Sequence, residues 1–150
     1  MSRKRVTLAS DHRGFALKAA VIGWLREQGF EVRDLGPDTD SVRVDAADYA
    51  IKVAAALKAD SEAFGILICG SGQVMTMTAN RFQHIRCALC FNGFMAKLAR
   101  QHNGANILAM GADMIGTNLA LNCVETFLNT EPLGGRYAER CKALTDLGGL

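Results

Sequence analysis

The sequence predicts an α/β fold, a three-layer αβα sandwich in which five parallel strands form one sheet and an extra helix follows at the C-terminus. Apolar runs alternate with helical patterns along the 150 residues, which is typical of consecutive βαβ units. The run 64–69 is short, apolar and followed by glycine, as expected of a buried parallel strand. No low-complexity stretch or long linker interrupts the pattern, so residues 1–150 are expected to form a single domain.

The five strands are expected where short apolar runs stand between turn-forming residues, at positions 6–9, 31–34, 64–69, 87–90 and 107–110. The first helix follows the first strand, because its apolar residues recur at the helical period and Gly29 stands where a helix commonly ends. Its predicted buried stripe consists of Leu17, Ala20, Val21, Trp24 and Leu25.

Two later helices each show one apolar face and are expected to cover the sheet. The second helix begins near Asp45, and its apolar face consists of Ala50, Val53, Ala54 and Leu57. The fifth helix has an apolar face made of Ala120, Cys123, Val124, Phe127 and Leu128. A final helix, marked by Tyr137, Cys141 and Leu144, is not followed by a strand. We expect this helix to pack on a neighbouring subunit.

The charge balance excludes several classes of partner. The chain has 17 basic and 15 acidic residues, a formal net charge of +2. This charge is too small to indicate a nucleic-acid or membrane surface. The first apolar run, 6–9, is too short for a signal peptide or a membrane span. We therefore expect a cytoplasmic protein that binds neither nucleic acid nor membrane.

The five cysteines are expected to be free thiols, because their number is odd and they lie in apolar segments. They are Cys69, Cys87, Cys90, Cys123 and Cys141. Cys87 and Cys90 have C-x-x-C spacing, but they lie in a predicted strand, where residues three apart point to opposite faces. A redox or zinc site is therefore not expected there, and the cysteines other than Cys69 have no predicted role beyond packing.

The predicted third strand ends on Cys69 and continues directly into Gly70-Ser71-Gly72. The glycines allow a tight turn before the next helix, so backbone N–H groups gather beside a thiol and a hydroxyl. Such a place binds an anion, favours a thiolate and stabilises a developing oxyanion. This turn is the first candidate site.

Polar residues also follow the first predicted strand and precede the fifth. Asp11 and His12 end strand one, and His102 and Asn103 close the helix before strand five. We expect these clusters to converge with Cys69 on one crevice at the sheet edge. Each residue also has a plain structural explanation: Asp11 as a helix cap, His12 as a surface side chain and Cys69 as a small core residue.

Cofactor and metal motifs are missing from the sequence. A dinucleotide site would need a third glycine where Met75 stands, and no Gly-Lys-Ser/Thr element is present. The three histidines lack the helical spacing of metal ligands; they are His12, His84 and His102. We therefore expect no metal and no cofactor.

Arg136 and Arg140 are four residues apart on the final predicted helix and so project from the same face. Two guanidinium groups in this arrangement can clamp a phosphate. The alternative is an ordinary solvated helix face.

Five ordered motifs spread over the whole chain resemble the ribose-5-phosphate isomerase B family, which also includes the galactose-6-phosphate isomerase subunits. They are Ser10-Asp11-His12-x-Gly14-Phe15, Gly65-Ile-Leu-Ile-Cys69-Gly70-Ser71-Gly72, Thr78-Ala79-Asn80, Arg100-Gln101-His102-Asn103 and Gly134-Gly135-Arg136. The resemblance implies a Rossmann-like fold and a metal-independent aldose–ketose isomerase that acts on a sugar phosphate without a cofactor. It also implies a dimer or tetramer with active sites shared between subunits.

The resemblance implies a catalytic role for the Cys69 turn. Cys69 would be the base that removes the C2 proton of the substrate. Ser71 and the backbone amides from Gly70 through Gly72 to Val74 would hold the oxygen of the cis-enediolate.

The remaining roles implied by the resemblance concern the open sugar and its phosphate. His102 and Asp11 would assist ring opening, and Asn103 would position a sugar hydroxyl. The phosphate would be bound by His12, Arg136 and Arg140, in part across subunits.

Three positions depart from the family pattern. Val74 stands where another glycine is usual, Ala46 replaces the tyrosine of a D-Y-P element, and Asp113 stands where an arginine often binds phosphate. An acid at 113 repels a phosphate if it faces the site. Ribose 5-phosphate is the expected substrate; the alternatives are another aldose, such as galactose 6-phosphate or an unphosphorylated sugar, and a non-catalytic sugar-phosphate binding module.

Overall fold

A computed structural model describes residues 4–147, which contain one five-stranded parallel sheet with helices on both faces. The strands are β1 (Arg5–Ser10), β2 (Glu31–Asp34), β3 (Phe64–Cys69), β4 (Cys87–Leu89) and β5 (Ile107–Gly111), in the spatial order β2-β1-β3-β5-β4. The helices are α1 (Phe15–Glu27), α2 (Ala46–Ala59), α3 (Gln73–Ala79), α4 (Gly93–Asn103), α5 (Thr117–Asn129) and α6 (Arg136–Asp146). The predicted three-layer α/β fold is confirmed.

The two faces of the sheet pack against different helices. Apolar side chains of α1, α4 and α5 form one core with Ile66 and Ile68 of β3. Leu67, between them, points to the other face and packs in a second core with α2 and α3. This alternation buries β3 on both sides, as its apolar run predicts.

The sheet-covering helices follow their sequence patterns with one exception. The predicted faces of α2 and α5 are buried, and Asp45 caps α2 by accepting a hydrogen bond from the Ala47 N–H at 2.9 Å. In α1 the buried stripe is displaced: Lys18 and Ile22 are buried, whereas Trp24 is half-buried. Hydropathy alone does not predict a buried lysine.

Lys18 is 1% exposed, and its burial is explained by two acceptors on the loop after β2. Its Nζ donates to Oδ1 of Asp34 and to the carbonyl oxygen of Pro37, both at 2.8 Å. A buried ammonium that is paired and hydrogen-bonded retains favourable interactions in place of water. Lys18 thereby ties α1 to the loop that leads toward α2.

All five cysteines are free thiols. Cys87 packs in one core and Cys90 in the other, on opposite faces of the sheet as predicted. Burial raises the pKa of each of these two thiols to about 12.

The edge strand β4 has only three residues, and two asparagine side chains extend its hydrogen bonding. Asn80 accepts from the Cys87 N–H at 2.8 Å and donates to the Cys87 carbonyl at 2.9 Å. Asn106 accepts from the Arg86 N–H at 2.8 Å and donates to the carbonyl of His84 at 2.9 Å. Each side-chain amide satisfies the donor and acceptor that a neighbouring strand would otherwise satisfy.

Helix α6 packs against α4 and is the last element within residues 4–147. No residue of α6, all of which lies in the described part of the chain, is buried, and Leu144 is 44% exposed. Among residues 4–147, no helix combines the length and the apolar character needed to cross a membrane.

Candidate functional site

Cys69 is the last residue of β3 and is 3% exposed. Its Sγ accepts a hydrogen bond from the backbone N–H of Gly72 at 3.1 Å. Gly72 has φ +78°, and a Cβ there would lie 2.5 Å from Cδ1 of Leu89, so both the backbone conformation and the packing require glycine. The turn therefore holds one N–H donor against the sulfur of Cys69.

The rest of the turn is open to solvent on one side and packed against β5 on the other. Ser71 is exposed, and its Oγ accepts from the Gln73 N–H at 3.2 Å. A Cβ on Gly111 would lie 2.6 Å from the carbonyl carbon and oxygen of Ser71. Val74 follows in α3 and is 42% exposed. The position of Ser71 is thus set by direct contact with the end of β5.

Asp11 and His12 lie at the end of β1, beside the end of β3. Asp11 is buried; its N–H donates to the carbonyl of Ile68 at 3.1 Å and its Oδ1 accepts from the Gly14 N–H at 2.9 Å. His12 Nδ1 accepts from the Val44 N–H at 3.3 Å. Because Nδ1 is the acceptor, a neutral His12 carries its proton on Nε2. The N-cap of α1 is Gly14, without a side-chain cap, so Asp11 is not the helix cap that its structural explanation predicted; it holds the loop residue Gly14 at the edge where Cys69 lies.

A cavity of ≈ 790 Å³ opens at this carboxyl edge of the sheet. Its lining includes Asp11, His12, Arg13, Arg43, Ala46 and Val74. The volume is in the range of small-ligand sites. The small side chain of Ala46 lines the wall where the family resemblance places an aromatic ring, and Val74 lines the rim.

Asp113, which was expected to repel a phosphate, forms an ion pair with Arg13. The pair lies across Gly70: a Cβ at residue 70 would be 2.9 Å from Arg13 Nε and 3.0 Å from Asp113 Oδ2. The two side chains remain 59% and 47% exposed. The carboxylate is therefore compensated by a guanidinium from the β1–α1 loop.

A second polar cluster surrounds Tyr137 of α6. The His102 ring stacks on the Tyr137 ring with centroids 4.5 Å apart and planes at 5°. The guanidinium carbons of Arg136 and Arg140 lie 5.0 and 5.7 Å from the same ring. Arg136 Nη2 donates to the Tyr137 hydroxyl at 3.0 Å, and this bond raises the pKa of Arg136. His102 and both arginines thus belong to one cluster.

The expectation that Cys69 and His102 converge on one crevice is wrong for a single chain. Helix α4 runs back across the sheet, so its last residues, His102 and Asn103, lie at the amino edge. Arg100 fixes this end, with its guanidinium carbon 4.8 Å from the ring of Phe64, the first residue of β3. Five strand steps of about 3.3 Å place the two edges about 17 Å apart.

Three residues of the two clusters were not predicted from the sequence as site residues: Arg13, Arg43 and Tyr137. Arg13 stands at the variable position of the Ser-Asp-His-x-Gly motif, and Arg43 stands in a loop without a recognised pattern. Tyr137 was used only to mark the final helix. Its position next to Arg136 and three before Arg140 is the signal that could have indicated a stacked cluster.

The chain is similar in sequence and in structure to known proteins of one family. The model of the family described as Ribose/Galactose Isomerase matches residues 6–144. A protein of Escherichia coli strain K12 named ribose-5-phosphate isomerase B is 39% identical over 142 residues, 95% of each chain. A ribose 5-phosphate isomerase structure from Thermotoga maritima has a TM-score of 0.93 at 42% identity, covering 97% of this chain and 100% of that one. A Mycoplasma genitalium ribose-5-phosphate isomerase B with bound ribulose-5-phosphate has a TM-score of 0.93 at 33% identity, covering 97% of both chains.

Proposed function

The chain belongs to the ribose/galactose isomerase family, and from this premise we propose that it interconverts ribose 5-phosphate and ribulose 5-phosphate with Cys69 as the base. The observation that carries the proposal is the thiol at the end of β3, held by the Gly72 N–H at 3.1 Å. The adjacent cavity has the volume for an open-chain sugar phosphate.

The reaction moves a carbonyl from C1 to C2 by transferring one proton between the two carbons and one between their oxygens. The Cys69 thiolate removes the proton from C2, and the electron pair of that C–H bond forms the C1–C2 double bond of a cis-enediolate. Negative charge then develops on the former carbonyl oxygen. The turn amides and the Ser71 hydroxyl stabilise this charge. Return of the proton to C1, together with transfer of the C2 hydroxyl proton to O1, gives the ketose and regenerates the thiolate, so the step needs no metal or other cofactor.

Ring opening and phosphate binding depend on a second copy of the chain. His102, Asn103, Arg136 and Arg140 lie at the amino edge, about 17 Å from Cys69 by strand geometry. In the proposed dimer, the partner's cluster faces the Cys69 turn of this chain, where Asp11 and His12 complete the site.

A set of exposed apolar side chains, on the segments that follow β3, β4 and β5, supports this association. Its members are 42–68% exposed and are contributed by α3, by the start of α4 and by the loop after β5: Val74, Met77, Phe94 and Met114. Apolar patches of this kind commonly mark subunit contacts.

The base is tested by replacing Cys69 with alanine and measuring ketose formation from ribose 5-phosphate in the presence of a chelator. Loss of a general base lowers turnover by about 10²–10⁴-fold. Cys87→Ala is the matched control, because it removes another buried thiol of the same sheet. Wild-type turnover in Cys69→Ala would refute the assignment.

The shared site is tested by mixing two inactive variants, Cys69→Ala and His102→Asn. Random exchange in a dimer makes half of the molecules hybrids, each with one intact site, so about a quarter of wild-type activity returns. Sites contained within one chain would give no recovery on mixing.

A second candidate function is isomerisation of a larger aldose phosphate, such as a six-carbon one. The observation that favours it is Ala46, which leaves the cavity wall open. kcat/KM values across five- and six-carbon sugars, with and without phosphate, distinguish the two. Affinity for ribose 5-phosphate without conversion of any sugar would instead indicate a binding module.

A further inference from the structure

We propose that Arg13 binds the phosphate of the substrate from this chain's own half of the site, and that Asp113 holds its guanidinium in position. This inference rests on the proposed function. It adds a phosphate-binding residue that lies at the carboxyl edge of the sheet, where Cys69 also lies. It assigns to the Arg13–Asp113 pair a specificity-determining role.

The pair joins three successive strand ends. Arg13 leaves the β1–α1 loop, crosses the turn at Gly70 and meets Asp113 just after β5. Arg13 Nε and Cδ would lie 2.9 and 3.2 Å from a Cβ at residue 70, so the glycine is what allows the side chain to lie against the turn. The guanidinium therefore rests on the residue adjacent to Cys69.

The guanidinium retains the capacity to bind an anion. Its Nη2 donates to Oδ2 of Asp113, whereas an arginine has five N–H donors arranged as a fork. The Arg13 side chain is 59% exposed and lines the cavity together with His12. The remaining donors suit phosphate oxygens, which arginine binds in bidentate fashion.

Among the charges that this chain itself places around the cavity, Arg13 is important for an anionic substrate. Besides Arg13, the cavity lining contains one cation, Arg43, and two carboxylates, Asp11 and Asp45. Asp113 adds a third carboxylate at Gly70. Without Arg13, a phosphate dianion would meet more negative than positive charge at this edge. Arg13 thus both compensates Asp113 and supplies the donors.

The experiment compares wild type with Arg13→Gln in steady-state kinetics with ribose 5-phosphate. Loss of a charge-assisted hydrogen bond to phosphate raises KM by about 10- to 100-fold, with kcat changed by less than about twofold since the proton-transfer groups are untouched. The inhibition constant of inorganic phosphate rises in step. Arg13→Lys, which keeps the charge but not the fork, gives an intermediate KM. Arg26→Gln, an equal charge loss at the exposed far end of α1, is the control.

The double variant Arg13→Gln/Asp113→Asn distinguishes two roles of Arg13: binding the phosphate and neutralising the Asp113 carboxylate. We expect it to recover only part of the lost affinity, because the repulsive carboxylate is gone but the donors are still missing. Full recovery would mean that Arg13 merely compensates Asp113, and would overturn the proposal. An unchanged KM in Arg13→Gln would overturn it as well.

Calorimetric titration with inorganic phosphate keeps this test independent of turnover. Weaker phosphate binding in Arg13→Gln, at an unchanged melting temperature, supports the role of Arg13 even if wild type fails to convert ribose 5-phosphate. Failure of wild type to convert that sugar counts against the proposed function alone. Equal phosphate affinity in wild type and Arg13→Gln, or none in either, counts against Arg13.

Discussion

Gly111 pairs in register with Cys69, and a single added methyl group there would press on the Cys69 turn. In Gly111→Ala the new Cβ would lie 2.6 Å from the carbonyl carbon and oxygen of Ser71. Ordinary van der Waals contact begins near 3.4 Å, so Ser71 must move by about 0.8 Å. The atoms in contact are backbone, which cannot rotate away as a side-chain end can.

A displacement of this size has two measurable effects. Overpacking of this kind lowers the free energy of unfolding by about 1–3 kcal/mol, which at about 2–4 °C per kcal/mol lowers the melting temperature by roughly 2–12 °C. A shift of about 1 Å in a catalytic group lowers kcat by up to about 10²-fold. We therefore expect kcat for ribose 5-phosphate to fall by about 10- to 100-fold, with a smaller change in KM.

The assay is steady-state ketose formation together with thermal unfolding at one protein concentration. Gly23→Ala is the control, because a Cβ there meets nothing within 4 Å and the residue lies inside α1. It should leave kcat unchanged and stabilise the chain by about 0.5–1 kcal/mol. If Gly111→Ala lost stability but kept wild-type kcat, the position of Ser71 would not matter for catalysis, and the reasoning would be wrong.

Two further predictions concern Tyr137 and the buried thiols. Tyr137→Leu removes the ring that stacks on His102, so kcat should fall by about 2- to 13-fold. Tyr137→Phe keeps the stacked ring, so its kcat should fall less. Equal kcat values in wild type and in both variants would contradict this prediction. Because burial raises the pKa of Cys87 and Cys90 from 9.0 to about 12, these thiols leave stability unchanged below about pH 9. Between about pH 9 and 12 the unfolded chain loses these protons first, so the free energy of unfolding should fall as pH rises. Urea titrations at successive pH values test this, with a shallower fall expected in Cys87→Ala.

The strands and the helix faces that cover the sheet were predictable because each is a local pattern. The run from Phe64 to Cys69 reads as a buried strand without knowledge of its neighbours, and Asp45 marks the start of α2 through its own side chain. Lys18 was not predictable, because its burial depends on Asp34 and Pro37, whose positions only the folded loop determines.

The candidate site likewise has a part that local sequence predicts and a part that depends on the folded chain. The Cys69 turn was predictable, since its thiol and glycines are adjacent in sequence. The partner of Asp113 was not, because Arg13 is 100 residues away and the contact depends on the sheet order. The separation of His102 from Cys69 follows from the direction of α4, which hydropathy patterns do not reveal. Tyr137 received no role beyond marking the final helix, because its stacking partner His102 lies on a different helix, α4.

The hydrogen bonds between Asn80 and β4 also affect the tendency of the chain to aggregate through its sheet edge. An uncovered edge strand is a template onto which another extended chain can add, the first step toward fibrous aggregation. Asn80 occupies the backbone N–H and carbonyl of Cys87, so an incoming strand finds this position already bonded. Since the amide is carried by a loop rather than a strand, it presents no further row of donors and acceptors. At Cys87 this edge of the sheet therefore ends at a side chain, and an added strand would find no free backbone group there.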